Sequence, residues 1–236
     1  MRHRSERGKN KERAQKLVTL LLPKSPISEA YRTIRTNLQY SSVDKPLHTL
    51  MFTSSGPGEG KSTTIANMAV VLAQAGKKIL LVDTDLRKPT LHYFFRVPNS
   101  LGLTNLLAGG FALKEVIRET SVEGLHLLPS GPIPPNPAEL LGSEKMKQAV
   151  EEMKSAYDLI LFDTPPVIAV TDAQILASEL DGVILVVHSG KTNREMAVKA
   201  KGLLETVHAN LLGVILNHNK MERKKDYYYY YYGKEA

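Results

Sequence analysis

The chain has 236 residues, 42% of them hydrophobic, with no cysteine and a formal net charge of +7. That length and apolar content can fill one substantial core, and the lack of cysteine excludes disulfides and thiolate metal centres. No apolar run approaches the roughly 20 residues that cross a bilayer, the longest early one, 17–22, being closed by Pro23, and the histidines show no metal-ligand spacing.

The positive charge is concentrated at the start of the chain. Arg2, Arg4, Arg7, Lys9, Lys11, Arg13 and Lys16 stand against only Glu6 and Glu12, which predicts a basic, flexible arm over 1–23. Such an arm is either a solvated leader or a contact for an anionic surface. Without aromatic residues among its charges it offers bases no stacking platform, so no specific nucleic-acid partner is expected.

From residue 28 onward, helix-length segments alternate with apolar runs of strand length. Helices are predicted over 28–39, 61–75, 103–107, 143–155, 172–178 and 193–206, and strands over 49–53, 79–82, 125–128, 159–162, 183–187 and 214–216. The strand runs are almost wholly apolar, as a parallel sheet covered on both faces requires. The expectation is a doubly wound, mostly parallel α/β domain over 24–219. Gly76 and Gly142 fall at helix ends, and the four prolines of 130–137 mark a rigid loop. A polar segment, 220–236, follows the domain and contains Tyr227, Tyr228, Tyr229, Tyr230, Tyr231 and Tyr232 in one run. A contiguous tyrosine run flanked by charges has no core to enter, so it reads either as low-complexity tail or as substrate.

Three motifs carry chemistry. The stretch 55–63, SGPGEGKST, follows a strand and opens a helix, the context of a phosphate-binding loop. Gly56, Gly58 and Gly60 free the backbone N–H groups to face phosphate oxygens, with Glu59 and Thr63 completing the nucleotide-contacting stretch. Lys61 reaches the β- and γ-phosphates, and the Ser62 hydroxyl is a Mg²⁺ ligand. Ser55 stands where the usual pattern has its first glycine. In ILLVDTDLR, 79–87, Asp83 and Asp85 leave the carboxyl end of a buried strand, where open α/β sheets bind ligands, and Arg87 can bridge to phosphate or to a partner chain. In LILFDTPP, 159–166, Asp163 ends another strand and suits Mg²⁺ coordination, with Thr164, Pro165 and Pro166 forming a stiff loop behind it.

Together these motifs resemble the Walker A, Walker A′ and Walker B elements of the bacterial tyrosine kinases, the BY-kinases. Glu29, Arg32 and Arg35 fit that family's E-x-x-R-x-x-R helix motif, and the tyrosine cluster fits its tail. The resemblance implies a P-loop fold of the division-site and partitioning ATPase type, with ATP and Mg²⁺ as cofactors. It also implies a homo-oligomeric ring joined through Glu29, Arg32 and Arg35, and autophosphorylation of the tyrosine cluster between subunits. A chain that starts without membrane spans looks like the split form of the family. That form implies a cytoplasmic protein recruited to the inner face of the membrane by the cytoplasmic tail of a membrane-anchored activator. Tyrosine-bearing protein substrates, a tyrosine phosphatase and a role in capsule or exopolysaccharide synthesis follow from the same likeness. In the mechanism it implies, Lys61 holds the phosphoryl group and Mg²⁺ binds Ser62, Asp83 and Asp163. Asp83 accepts the phenol proton with Asp85 as its partner, two roles that the sequence leaves interchangeable. Asn217 is either an adenine contact or an ordinary loop residue. The alternative is a partitioning-type ATPase acting on DNA or membrane; such proteins carry a signature lysine where this chain has Gly56.

Overall fold

The computed structural model describes residues 16–41 and 46–219. Seven strands form one sheet: β1 (Thr49–Ser54), β2 (Ile79–Asp83), β3 (Arg118–Glu119), β4 (Leu125–Leu128), β5 (Leu159–Asp163), β6 (Gly182–His188) and β7 (Leu211–Asn217). Their order is β3-β4-β2-β5-β1-β6-β7, and every pairing is parallel except the short antiparallel one between β3 and β4. The predicted doubly wound α/β architecture is present.

Because neighbouring strand residues point to opposite faces, the sheet builds two cores. Leu50, Phe52, Leu81, Leu161, Ile184 and Val186 face one of them, and Met51, Leu80, Val82, Ile160, Phe162 and Leu185 face the other. The first face is covered by α1 (Val18–Leu21), α2 (Pro26–Ser41), α3 (Lys61–Ala73) and α4 (Leu91–Phe95). The second is covered by α5 (Leu103–Ala108), α6 (Leu113–Val116), α7 (Pro137–Leu141), α8 (Glu144–Ala156), α9 (Asp172–Ala177) and α10 (Arg194–Thr206). Each fully buried Leu, Ile, Val or Phe contributes roughly 1.5–3 kcal/mol, and β1, β2 and β5 are buried along their whole length. That packing makes the carboxyl ends of these three strands a rigid platform.

Helix ends follow their capping chemistry. Ser143 and Asn193, expected inside helices, are the N-caps of α8 and α10, their side chains accepting the amides of Met146 and Glu195. Pro137, expected in the rigid loop, is the first residue of α7, where its missing N–H costs nothing. The folded part also reaches back into the stretch assigned to the basic arm. Thr19 is fully buried, its amide and hydroxyl both donating to Asn67 Oδ1 at 3.0 and 2.9 Å, so α1 docks on α3. Residues 1–15 of that arm lie outside the described residues.

Candidate active site

The phosphate loop connects β1 to α3. Gly58 and Gly60 take left-handed φ values of 76° and 94°, which turn the chain sharply before the helix begins at Lys61. At Gly60 a Cβ would also lie 2.0 Å from Asn217 Nδ2, so a side chain there would strain the backbone and push the Asn217 amide off the loop. The α3 N-terminus has no side-chain cap, leaving its first amides to an incoming anion. Ser55 replaces the expected glycine for a visible reason: its amide and hydroxyl donate to Glu59 Oε2 and Oε1 at 3.0 and 2.7 Å. Glu59 is thereby folded into the loop, 6% exposed, with Thr192 Oγ1 donating to Oε1 at 2.8 Å and Asn217 Nδ2 to its carbonyl at 3.0 Å. The carbonyl of Thr63 in turn accepts the Asn67 amide.

Lys61 Nζ lies 3.1 Å from Asp85 Oδ2, 3.1 Å from Ser62 Oγ and 3.4 Å from Asp163 Oδ1. Burial works against its charge, but the carboxylates of Asp163 and Asp85 outweigh that cost and hold its pKa above the ordinary lysine value. Asp83 and Asp163 are cross-strand partners in β2 and β5, and both are fully buried. Desolvation, reinforced by the Asp163 charge, pushes Asp83 up to about 8, and the amides of Thr90 and Leu91, donating to Oδ2 at 2.9 Å, only partly oppose this. Asp163 is also raised by burial, against the opposing pull of Lys61 and the Ser62 hydroxyl. Asp83 Oδ1 and Asp163 Oδ2 have no hydrogen-bond partner although buried.

Two orphaned carboxylate oxygens beside a serine hydroxyl form a hard oxygen donor set that suits Mg²⁺. Among the described residues no group of three or more His, Cys, Asp or Glu side chains could hold a metal alone.

The remaining predicted residues divide. Arg87 lies against Asp172, Nε and Nη2 donating to its two oxygens at 2.9 Å, so its fork ties the loop after β2 to the start of α9. Asp172, fully buried, gave no sequence signal beyond its place at a helix start. Asn217 is the last residue of β7, not a loop residue beyond it, and its amide is engaged with the phosphate loop. Glu29 and Arg32 pair at 2.8 Å on the surface of α2, Arg32 also donating to the Pro23 carbonyl, whereas Arg35 turns inward to the Val71 carbonyl at 3.1 Å. The six tyrosines lie outside the described residues. Thr192 was invisible in the sequence, because its partner Glu59 is 133 positions away.

A family model described as "AAA domain" matches residues 48–209. The chain is 50% identical over 223 residues to the tyrosine-protein kinase YwqD of Bacillus subtilis (strain 168), covering 94% of this chain and 93% of that protein. Its fold superposes on the kinase domain of the Escherichia coli tyrosine kinase ETK with a TM-score of 0.84 at 33% identity, covering 88% of this chain and 81% of that one. The septum site-determining protein MinD of Pyrococcus horikoshii OT3, solved with Mg-ADP, gives a TM-score of 0.64 at 27% identity over 75% of this chain and 72% of its own. The nucleotide loop, the acidic strand ends and these likenesses agree, and the chain belongs to the bacterial tyrosine kinases.

Proposed function

We propose that this protein-tyrosine kinase passes the γ-phosphoryl group of ATP to tyrosines of its own 227–232 cluster, presented by a neighbouring copy. The observation that carries this reading is the register of β2 and β5, which sets two fully buried carboxylates, Asp83 and Asp163, side by side next to Lys61. The loop amides of 56–62 and Lys61 bind and orient the β- and γ-phosphates. Ser62, Asp83 and Asp163 would hold Mg²⁺, which would neutralise the phosphate charge. The Asp83 carboxylate, in its ionised form, takes the proton of the attacking phenol as the new O–P bond forms and the bond to the β–γ bridging oxygen breaks, leaving ADP. A phenol ionises near about 10; the ionised fraction of Asp83, which grows as pH rises through about 8, is a stronger base toward it than an ordinary aspartate. Asp85, which anchors Lys61 and accepts the Lys88 amide, keeps the lysine aimed.

Arg87 and Asn217 are committed to protein partners, which supports structural roles for them rather than phosphate or adenine contact. Glu29 and Arg32 remain the proposed ring contact, in a region that also exposes Leu21, Leu22 and Ile27, while Arg35 is committed to the Val71 carbonyl and supports the helix from within. The cellular reading is control of capsule or exopolysaccharide synthesis at the inner face of the membrane. There the cytoplasmic tail of a membrane-anchored activator recruits the kinase, and a tyrosine phosphatase resets it. None of the helices described is long and apolar enough to cross a membrane itself.

The test incubates the pure protein with ATP, Mg²⁺ and an activator tail, then maps phosphotyrosine by mass spectrometry. Label on 227–232 that falls at least about a hundredfold in Lys61→Met and Asp83→Asn is the expected outcome. ATP turnover without tyrosine label, stimulated by DNA or lipid, selects the partitioning ATPase instead.

A further inference from the structure

Glu59 occupies an odd place for a carboxylate: it is buried within a loop built to receive anions, and none of the ion pairs among the described residues involves it. Its oxygens are satisfied by neutral donors from two distant parts of the chain as well as by Ser55. Thr192, in the connection from β6 to α10, accepts the His188 amide at 2.9 Å and donates to Glu59 Oε1 at 2.8 Å. With the amide on one lone pair, the threonine hydroxyl directs its proton to the Glu59 carboxylate. On the other side Asn217 Nδ2 donates to the Glu59 carbonyl at 3.0 Å, while Asn217 Oδ1 accepts the His218 amide at 2.9 Å. His218 takes a left-handed φ of 55°, and its ring stacks on His188 with centroids 4.2 Å apart and planes 15° from parallel. The contacts therefore close on themselves, from Glu59 through Thr192 and His188 across the imidazole stack to His218, Asn217 and back to Glu59.

We propose that this circuit is a positioning device for the nucleotide, with Thr192 as its key member, and that it couples occupancy of the phosphate loop to the root of the tyrosine segment. It rests on reading 55–63 as the nucleotide loop. Phosphate bound on the loop amides fixes the backbone at Glu59. Through Asn217 that order reaches the His218 amide, two residues before the segment that leads to the tyrosines. Thr192 touches neither phosphate nor metal and acts through the Glu59 carboxylate. A side chain that only supported the fold would change stability without changing affinity. One that positions the loop changes affinity, and its effect disappears once Glu59 is removed.

The test measures Mg-ADP binding by calorimetry for the wild type, Thr192→Val, Thr192→Ser, Glu59→Ala and the Glu59→Ala/Thr192→Val double variant. It also follows hydrogen exchange of the His218 amide with and without Mg-ADP. Thr192→Val keeps the shape and loses the hydroxyl, so the dissociation constant is expected to rise about tenfold, and Thr192→Ser restores it. The double variant binds no worse than Glu59→Ala, because both changes act through one group. Mg-ADP slows His218 exchange in the wild type and not in Thr192→Val. Wild-type affinity in Thr192→Val overturns the proposal, as do additive losses in the double variant, a Ser variant as weak as Val, or His218 exchange that ignores Mg-ADP. A wild type that fails to bind Mg-ADP at all refutes the nucleotide reading of the loop instead.

Discussion

Asp83 shows how one residue takes its chemistry from where the chain puts it. An exposed aspartate is a poor acceptor for a phenol proton, but burial beside Asp163 raises its pKa to about 8. The same shift makes stability depend on pH. Between about 4 and about 8 the unfolded chain has lost this proton and the folded chain keeps it, so stability declines as pH rises through that window. Asp83→Asn removes the slope while still accepting the Thr90 and Leu91 amides. In chelator-treated, nucleotide-free buffer the variant is expected to exceed the wild type in Tm by about 3 °C or more at about pH 8 and by clearly less at about pH 5. Calorimetric scans at the two pH values check this, and an equal difference at both would refute the buried, raised carboxyl.

At the scale of elements, contacts across long sequence separations set the geometry of the nucleotide helix. Asn67 projects from α3 into the turn carrying α1, joining Thr19 and the Lys16 carbonyl to the helix that begins with Lys61. Asn67→Ala strands the buried Thr19 amide and leaves its hydroxyl only the long bond to the Asn67 backbone carbonyl at 3.4 Å, at a cost of about 2–4 kcal/mol. Thermal unfolding should show that loss, and limited proteolysis should show cleavage of 16–22 ahead of the rest. Gly102 supplies a second element-level test. A Cβ there would lie 2.1 Å from the Pro129 carbonyl oxygen and 2.3 Å from the Gly131 amide, backbone atoms that cannot swing aside. Gly102→Ala is expected to destabilise by more than about 3 kcal/mol. A Tm within a degree or so of wild type would mean that the α5 entry loop has room to move.

For the whole molecule, the proposed ring and tail define a cycle. Each phosphate adds about −1.5 to −2 charges at neutral pH, so several on one tail repel one another and loosen the assembly that let neighbours modify it. Light scattering before and after ATP and Mg²⁺ should show the wild type dissociating, while a chain with Tyr227 to Tyr232 all changed to Phe stays assembled. Identical behaviour of the two chains would end the cycle. Ile27, 57% exposed in the first turn of α2, should matter only to association. Ile27→Asp is expected to lower the assembled fraction without shifting the Tm of the monomer, and unchanged assembly would move the interface elsewhere.

The sequence by itself determined the fold class and the ingredients of the site. Both-face-buried parallel strands read as unbroken apolar runs, and glycine spacing with Lys61 and Ser62 marks a phosphate loop through local backbone needs alone. The edge strand β7 was read too short because Gly213 interrupts its apolar run; it begins at Leu211 and runs on to Asn217, with Val214 and Leu216 facing outward. What only the tertiary structure decided depends on pairs far apart in the chain. The β2–β5 register set Asp83 against Asp163 and buried both carboxylates, Asp172 drew Arg87 away from the loop, and Val71 drew Arg35 inward. Thr192 and Asn217 converged on Glu59 for the same reason. Proton affinity and hydrogen-bond partnership belong to a location in space, and local sequence carries no record of which distant residue will share it.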